Sequence, residues 1–340
     1  MTLTVEELLS TRKITLIKEL KQSATLRLND CNESVKISRG LYDKLITSMR
    51  NMRSLKEAMG DSFISSHCLN EDDITFGVEL EFIGSKDRLN FSKFTIEMYH
   101  LLNDKFIFTG SYYHNDGNFW LLGKDGSIVW PNLPDSEVPS SPFGYELSSP
   151  KLRLSSENDI NTLKCIIAAI KSNLFGIVND SCGTHIHVSF KQNNLTKDDI
   201  LTLLSAYSRM ESKIFDPIVP ITRRRNRYCK KTTPDVREKY QKVSSRYCTF
   251  EYHTNWITQC TQLHFEFRQL EGTLDPDAIM YWVKLQSCIL HDLATHIDDR
   301  SYLRMITSLN AFDILFYYDF DDKMVNFFLD RIFKFKSRTI

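Results

Sequence analysis

No stretch of the 340-residue chain approaches the roughly 20 consecutive apolar residues that a membrane-spanning helix needs. Met1 to Leu20 also lacks the apolar core of a signal peptide. Net charge is absent: Lys+Arg and Asp+Glu both total 43, so no overall field draws the protein to nucleic acid or to a membrane surface. The eight cysteines contain no C-x-x-C pair, which argues against a disulfide framework and points to reduced thiols in the cytoplasm. There is no Gly-rich Walker loop, dinucleotide fingerprint or kinase signature, and neither an internal repeat nor a low-complexity tract. Any phosphate site must therefore be built another way, and any electrostatic specialisation must be local.

What is present suits a folded enzyme-sized chain, with 42% hydrophobic and 25% charged residues. Thr4-x-x-Glu7 resembles a capping box, and Val5, Leu8, Leu9, Leu16, Ile17 and Leu20 follow at helical spacing. Leu26/Leu28 and Val35/Ile37 flank a polar run and predict a hairpin; Leu41 to Met59 predicts an amphipathic helix ending near Gly60. Residues 1–70 thus read as an N-terminal accessory region, joined through the polar segment Ser65 to Asp73. Strands and helices then interleave. Strands are expected at Ile74–Ile83, Tyr145–Leu147, Thr184–Phe190 and Leu263–Leu270. Phe119–Leu122 and Ile128–Trp130 flank Asp125-Gly126 as an expected hairpin. Helices are expected from Ser92 to about Asn103, from Ser156 toward Gly176, from Thr196 to about Ile214 and near 276–296, with a last one over Phe312–Phe335. The fold class is α+β, with 71–300 as the main domain and 301–340 as a helical tail on the core.

The strands carry the chemistry. In Phe76-Gly-Val-Glu79-Leu-Glu81-Phe82 the apolar residues share one face and the two glutamates the other. His185 and His187 lie opposite Ile186 and Val188; His264, Glu266 and Arg268 lie opposite Phe265 and Phe267; Glu146 has an apolar back. One such strand could simply wet its polar face. Four strands choosing Glu, His and Arg at their central positions are harder to explain that way, because two carboxylates about 6–7 Å apart repel by roughly 2–3 kcal/mol at an effective dielectric of 20. Cations would relieve that cost. A carboxylate-rich set with one or two imidazoles suits Mg²⁺ or Mn²⁺ better than structural zinc. Cys182-x-x-His185-x-His187 lacks a fourth soft ligand, and Cys182 reads as a small buried thiol, with a nucleophile as the alternative. The run Arg223-Arg224-Arg225-Asn-Arg227 within Pro217–Tyr247 fits either a solvated or nucleic-acid-binding surface or a polyphosphate clamp.

Taken in order, Phe76-Gly-Val-Glu79-Leu-Glu81-Phe, Lys-Asp125-Gly-Ser127, Gly144-Tyr-Glu146-Leu-Ser-Ser-Pro150, Cys182-Gly-Thr-His185-Ile-His187-Val-Ser and Phe265-Glu266-Phe-Arg268-x-x-Glu271-Gly-Thr-Leu-Asp275 resemble the amidoligase family of glutamine synthetase-like carboxylate–amine ligases, over about Ile74 to Ile297. The resemblance implies a curved, mostly antiparallel sheet backed by helices, and an ATP-dependent reaction that joins a carboxylate donor to an amine acceptor, on a metabolite, peptide or protein, through an acyl phosphate. It implies two Mg²⁺ or Mn²⁺ ions held by Glu79, Glu81, Glu146, His185 and Glu266. His187, Arg268 and one or more of Arg223, Arg224, Arg225 and Arg227 would hold the ATP phosphates. Arg268, Asp125 and His187 become the expected catalytic residues, Asp125 orienting substrate or adding a metal contact. A phosphotransferase on the same type of sheet, an anion- or nucleic-acid-binding module and, more remotely, a zinc hydrolase stand as alternatives.

Overall fold

The computed structural model describes residues 5–10, 14–19, 23–28, 34–59, 69–109, 118–130, 139, 141–190, 195–232, 250–253, 264–318 and 320–336. Two compact units are present: Met1–Leu69 with Thr202–Ile221 and Asp292–Ile340, and Asn70–Leu201 with Thr222–His291.

The chain begins with α1 (Val5–Ser10), β1 (Ile14–Glu19), β2 (Ser23–Leu28), β3 (Ser34–Ser38) and α2 (Arg39–Met59). The β2–β3 hairpin pairs Leu26 with Val35, as the flanking apolar pairs predict. Helical spacing misleads between Leu16 and Glu19, which belong to β1 and pair with β2. Ile14, Thr15 and Ile17 are β-branched and stiff at χ1, so a strand partner outweighs weak local periodicity there.

The second unit is built on β4 (Ile74–Ser85), α3 (Arg88–Leu102), β5 (Phe106–Phe108), β6 (Trp120–Lys124), β7 (Pro142–Ser148), β8 (Leu152–Arg153), α4 (Glu157–Asn173) and β9 (Gly183–Phe190), with α5 (Lys197–Met210) following in the chain. It continues through the short α6 (Ile221–Arg224), β10 (Phe250–His253), β11 (His264–Glu271) and α7 (Pro276–Thr295). Its sheet runs β10-β11-β9-β4-β7-β6-β5, with β8 also pairing with β4. Its pairings are antiparallel apart from β5 with β6. The class is α+β. Phe76, Val78, Leu80, Phe82, Ile186, Val188, Phe265 and Phe267 are buried as the back of this sheet. Burying a side chain of this size contributes roughly 1.5–3 kcal/mol. Helix α7 reaches that back through Gln286, which donates to Gln269 at 3.3 Å, and through His291, whose ring meets Phe190 edge-on.

Three expectations need correcting. α3 starts at Arg88, four residues before Ser92, because Asp87 caps the N–H groups of Leu89 and Asn90. Residues 128–130 form no strand: the Asp125-Gly126 turn follows β6, whose antiparallel partner is β7. After α8 (Arg300–Ser308) the aromatic tail is divided, with α9 (Ala311–Tyr317) and α10 (Asp322–Lys336) in place of the one helix expected over Phe312–Phe335. A capping box of Asn310 with Asp313 starts α9, and extended backbone at Tyr318 ends it. The buried Asp292 carboxylate accepts from the Tyr302 and Tyr318 hydroxyls at 2.6 and 3.0 Å, giving these aromatic segments a polar anchor.

Candidate functional site

Register brings the polar faces together. Glu79 of β4 lies opposite His185 of β9, Glu81 opposite Glu146 of β7, and His187 opposite Glu266 of β11. Residues directly opposite in an antiparallel pair share a face with Cβ atoms about 4.5–5.5 Å apart. The side chains follow that geometry: His185 Nδ1 is 2.8 Å from Glu79 Oε2 and 3.5 Å from Glu266 Oε1, and its Nε2 is 3.5 Å from Glu81 Oε1. His187 Nε2 is 3.3 Å from Glu79 Oε1. Donor atoms of Glu79, His187 and Glu266 lie within 4.8 Å of one another, as do those of Glu81, Asp125 and Glu146. His185 sits between the two groups. The imidazole expected on phosphate, His187, thus shares a donor group with Glu79 and Glu266.

Asp125 arrives from the turn after β6. Its Oδ1 accepts from Ser127 N–H at 2.7 Å and its own N–H donates to Gly144 O at 3.0 Å. A Cβ on Gly144 would stand 2.5 Å from the Asp125 carbonyl oxygen, so glycine is what allows the turn to close on β7 beside Glu146.

The arginines are sorted unequally. Arg268 Nη2 meets Glu266 Oε1 at 2.7 Å. Arg223 is only 3% exposed; its Nε donates to the Arg268 carbonyl at 2.9 Å, while its buried Nη2 has no hydrogen-bond partner among the described residues. Arg224 is half-buried, and its Nε has no hydrogen-bond partner among the described residues. Arg225 and Arg227 are exposed, and Arg227 lies over the Tyr228 ring. Burial pushes the Cys182 thiol up to about 11, which leaves little thiolate for a nucleophile. Beyond β11 the sheet continues into β10, where Glu251 pairs in register with Glu266.

Crowding sets the electrostatics. Burial raises the Glu146 carboxyl well above its usual range, reinforced by the charges of Glu79, Glu81 and Asp125. Burial also raises Glu81, with His185 and Arg223 offsetting part of the effect. Burial opposes charge on both Glu79 and His187, but their mutual attraction and hydrogen bonding prevail, holding Glu79 well below the usual range and His187 above its own. The raised carboxyls of Glu81 and Glu146 bind more protons in the folded than in the unfolded state, so their contribution to stability falls as pH climbs above the ordinary glutamate value of about 4.3, and that of His187 falls only above the ordinary imidazole value of about 6.5. The metal-free protein is therefore expected to melt lower as pH rises from mildly acid to neutral, and Mn²⁺ to reverse the fall. The recovery should be roughly 2–4 °C per kcal/mol of repulsion relieved. Melting curves across pH, with chelator and with Mn²⁺, check this; parallel curves would contradict it.

Fold and site together define an α+β protein with a carboxylate–imidazole–guanidinium centre across four neighbouring strands. A family model described as "Putative amidoligase enzyme" matches residues 72–290, nearly two-thirds of the chain, and the chain belongs to that family. Membership supports a ligase. Among solved structures it is similar to the Plasmodium falciparum glutamine synthetase determined by cryo-electron microscopy, at 11% identity and a TM-score of 0.33, over 82% of this chain and 58% of that one. No curated protein matches. Among the described residues no helix is long and apolar enough to cross a membrane.

Proposed function

We propose that the chain is an ATP-dependent carboxylate–amine ligase forming an amide or isopeptide bond through an acyl phosphate. The observation that carries this reading is the pairing of two donor groups, Glu79–His187–Glu266 and Glu81–Asp125–Glu146, beside the half-buried Arg268 and the buried Arg223, in a member of the amidoligase family. The donor set fits hard divalent cations: oxygen dominates, with imidazole at one side. Glu79 and Glu266 with His187 or His185 would hold one Mg²⁺ or Mn²⁺ ion, and Glu81, Asp125 and Glu146 a second. Such ions supply charge compensation for a polyphosphate.

The chain's own groups do the rest. Arg268 and Arg223 bind phosphate oxygens, and burial of Glu81, His185 and Glu266 limits water at the reacting centre. The donor carboxylate attacks the γ-phosphorus as ADP leaves; the amine then attacks the acyl carbon, phosphate departs with one donor oxygen, and the amine loses a proton. The donor and acceptor belong to a metabolite, peptide or protein, and Cys165, Cys182, Cys229 and Cys288, none of them in a disulfide among the described residues, suit a reducing, ATP-supplied cytoplasm.

Oxygen-18 in the donor carboxylate separates this reaction from simple phosphotransfer. Label is expected in released phosphate, with loss of one water on coupling seen by intact mass. A stable phosphorylated product without coupling would reject the ligase in favour of a phosphotransferase.

A further inference from the structure

Gly183 opens β9 two residues before His185, beside the Glu81–Asp125–Glu146 group. Its backbone N–H donates to Glu81 Oε2 at 2.6 Å in a buried setting. On its other side, a Cβ would lie 2.3 Å from Arg223 Nη2, 2.7 Å from Cζ and 2.8 Å from Nη1. Three atoms of one guanidinium at such distances mean that the plane rests on the glycine itself. Arg223 is held there by its Nε bond to the Arg268 carbonyl, an oxygen that also accepts from Cys229 Sγ at 3.1 Å. One donor is left over. Arg223 Nη2 is buried without a hydrogen-bond partner among the described residues, an arrangement costly in a resting protein and useful where a ligand oxygen completes it.

We propose that Gly183 is the positioning residue of this centre, fixing Glu81 through its N–H and, through its missing side chain, seating Arg223 so that Nη2 meets a phosphate oxygen of the nucleotide. The inference rests on the ligase reading and selects one arginine from the basic run. Arg223, on the short helix α6, is the member whose place depends on a glycine of β9. An extended strand accepts alanine at this position without backbone strain, and the atoms its methyl would meet are the far end of a long side chain, tied by its Nε to the Arg268 carbonyl. The fold therefore survives Gly183→Ala by moving the guanidinium, and binding registers the change.

The test measures Mn²⁺ affinity by electron paramagnetic resonance, affinity for a non-hydrolysable ATP analogue with Mn²⁺ by calorimetry, and melting temperature. The proteins are the full chain with Gly183→Ala, Arg223→Ala, Arg223→Lys, the double variant Gly183→Ala/Arg223→Ala, and Gly183→Ala/Arg223→Lys. Gly183→Ala is expected to weaken the analogue by about 10- to 100-fold, the loss of one charge-assisted hydrogen bond, while the protein stays folded. In the Arg223→Ala background the same change should cost almost nothing further, since nothing remains to be displaced. Gly183→Ala/Arg223→Lys should recover part of the loss, because a thinner side chain passes the methyl. Wild-type affinity in Gly183→Ala, or losses that simply add in the double variant, would overturn the inference. If the unaltered protein binds Mn²⁺ but no analogue, the nucleotide reading fails by itself. The Gly183 inference is then decided by Mn²⁺ affinity and melting temperature, where additive effects of the two substitutions refute it.

Discussion

Glu79→Gln is expected to reduce ADP release by about 10³-fold or more while leaving the fold in place, because it removes the charge on which one donor group is centred. Glu79 touches both imidazoles, His185 at 2.8 Å and His187 at 3.3 Å, and shares a donor group with Glu266. Glutamine keeps the shape and can still meet one ring, but a neutral amide oxygen is a poor ligand for a hard cation. A rate loss of this size corresponds to about 4 kcal/mol of transition-state stabilisation, the scale seen when a positioned electrostatic group is deleted. Glu79 is also the cleanest place to ask. Its side chain is 27% exposed, so an altered charge there can be met by water. Glu266 is 2% exposed and paired with the half-buried Arg268, so Glu266→Gln leaves that cation short of its partner and mixes lost stability with lost function. The measurements are ADP release with a substrate pair found by intact-mass screening, Mn²⁺ binding, and melting. A Glu79→Gln protein that turns over within tenfold of the original would remove Glu79 from the centre.

Much of this was legible in the sequence where the signal is local. The two-residue period of Phe76–Phe82, of Thr184–Val188 and of Phe265–Arg268 put polar side chains on one face, and sheet register did the rest. Non-local matters were not legible. Asp125-Gly126 looks like a hairpin turn, yet β6 closes on β7, whose strand begins only at Pro142, and no local period encodes that partner. Arg223, Arg224, Arg225 and Arg227 are equivalent as a basic run. They separate once Arg223 turns in against Gly183 and Arg268 while Arg225 and Arg227 face solvent. The N-terminal strand was misread because six residues are too few to tell a period of 3.6 from a period of 2 when apolar residues cluster.

The same sorting makes Arg268→Lys the second large effect, expected at about 100-fold in ADP release although the formal charge is unchanged. Arg268 holds Glu266 at 2.7 Å through Nη2, and its side chain is 16% exposed. A planar guanidinium has five donors, enough to grip the Glu266 carboxylate on one edge and a phosphate oxygen on another; an ammonium is a single point charge on a flexible stem. Lysine can satisfy Glu266 or the phosphate, and a buried carboxylate 3.5 Å from the His185 ring will compete for it. About 100-fold corresponds to roughly 2.7 kcal/mol, near the upper range for one charge-assisted hydrogen bond. Arg225→Ala is the internal control: that side chain is exposed, and its removal should change turnover less than about threefold. Equal losses at both positions would show that the protein uses the basic run as a diffuse positive surface, and the geometric distinction between a clamp built on β11 and a solvated loop would then fail.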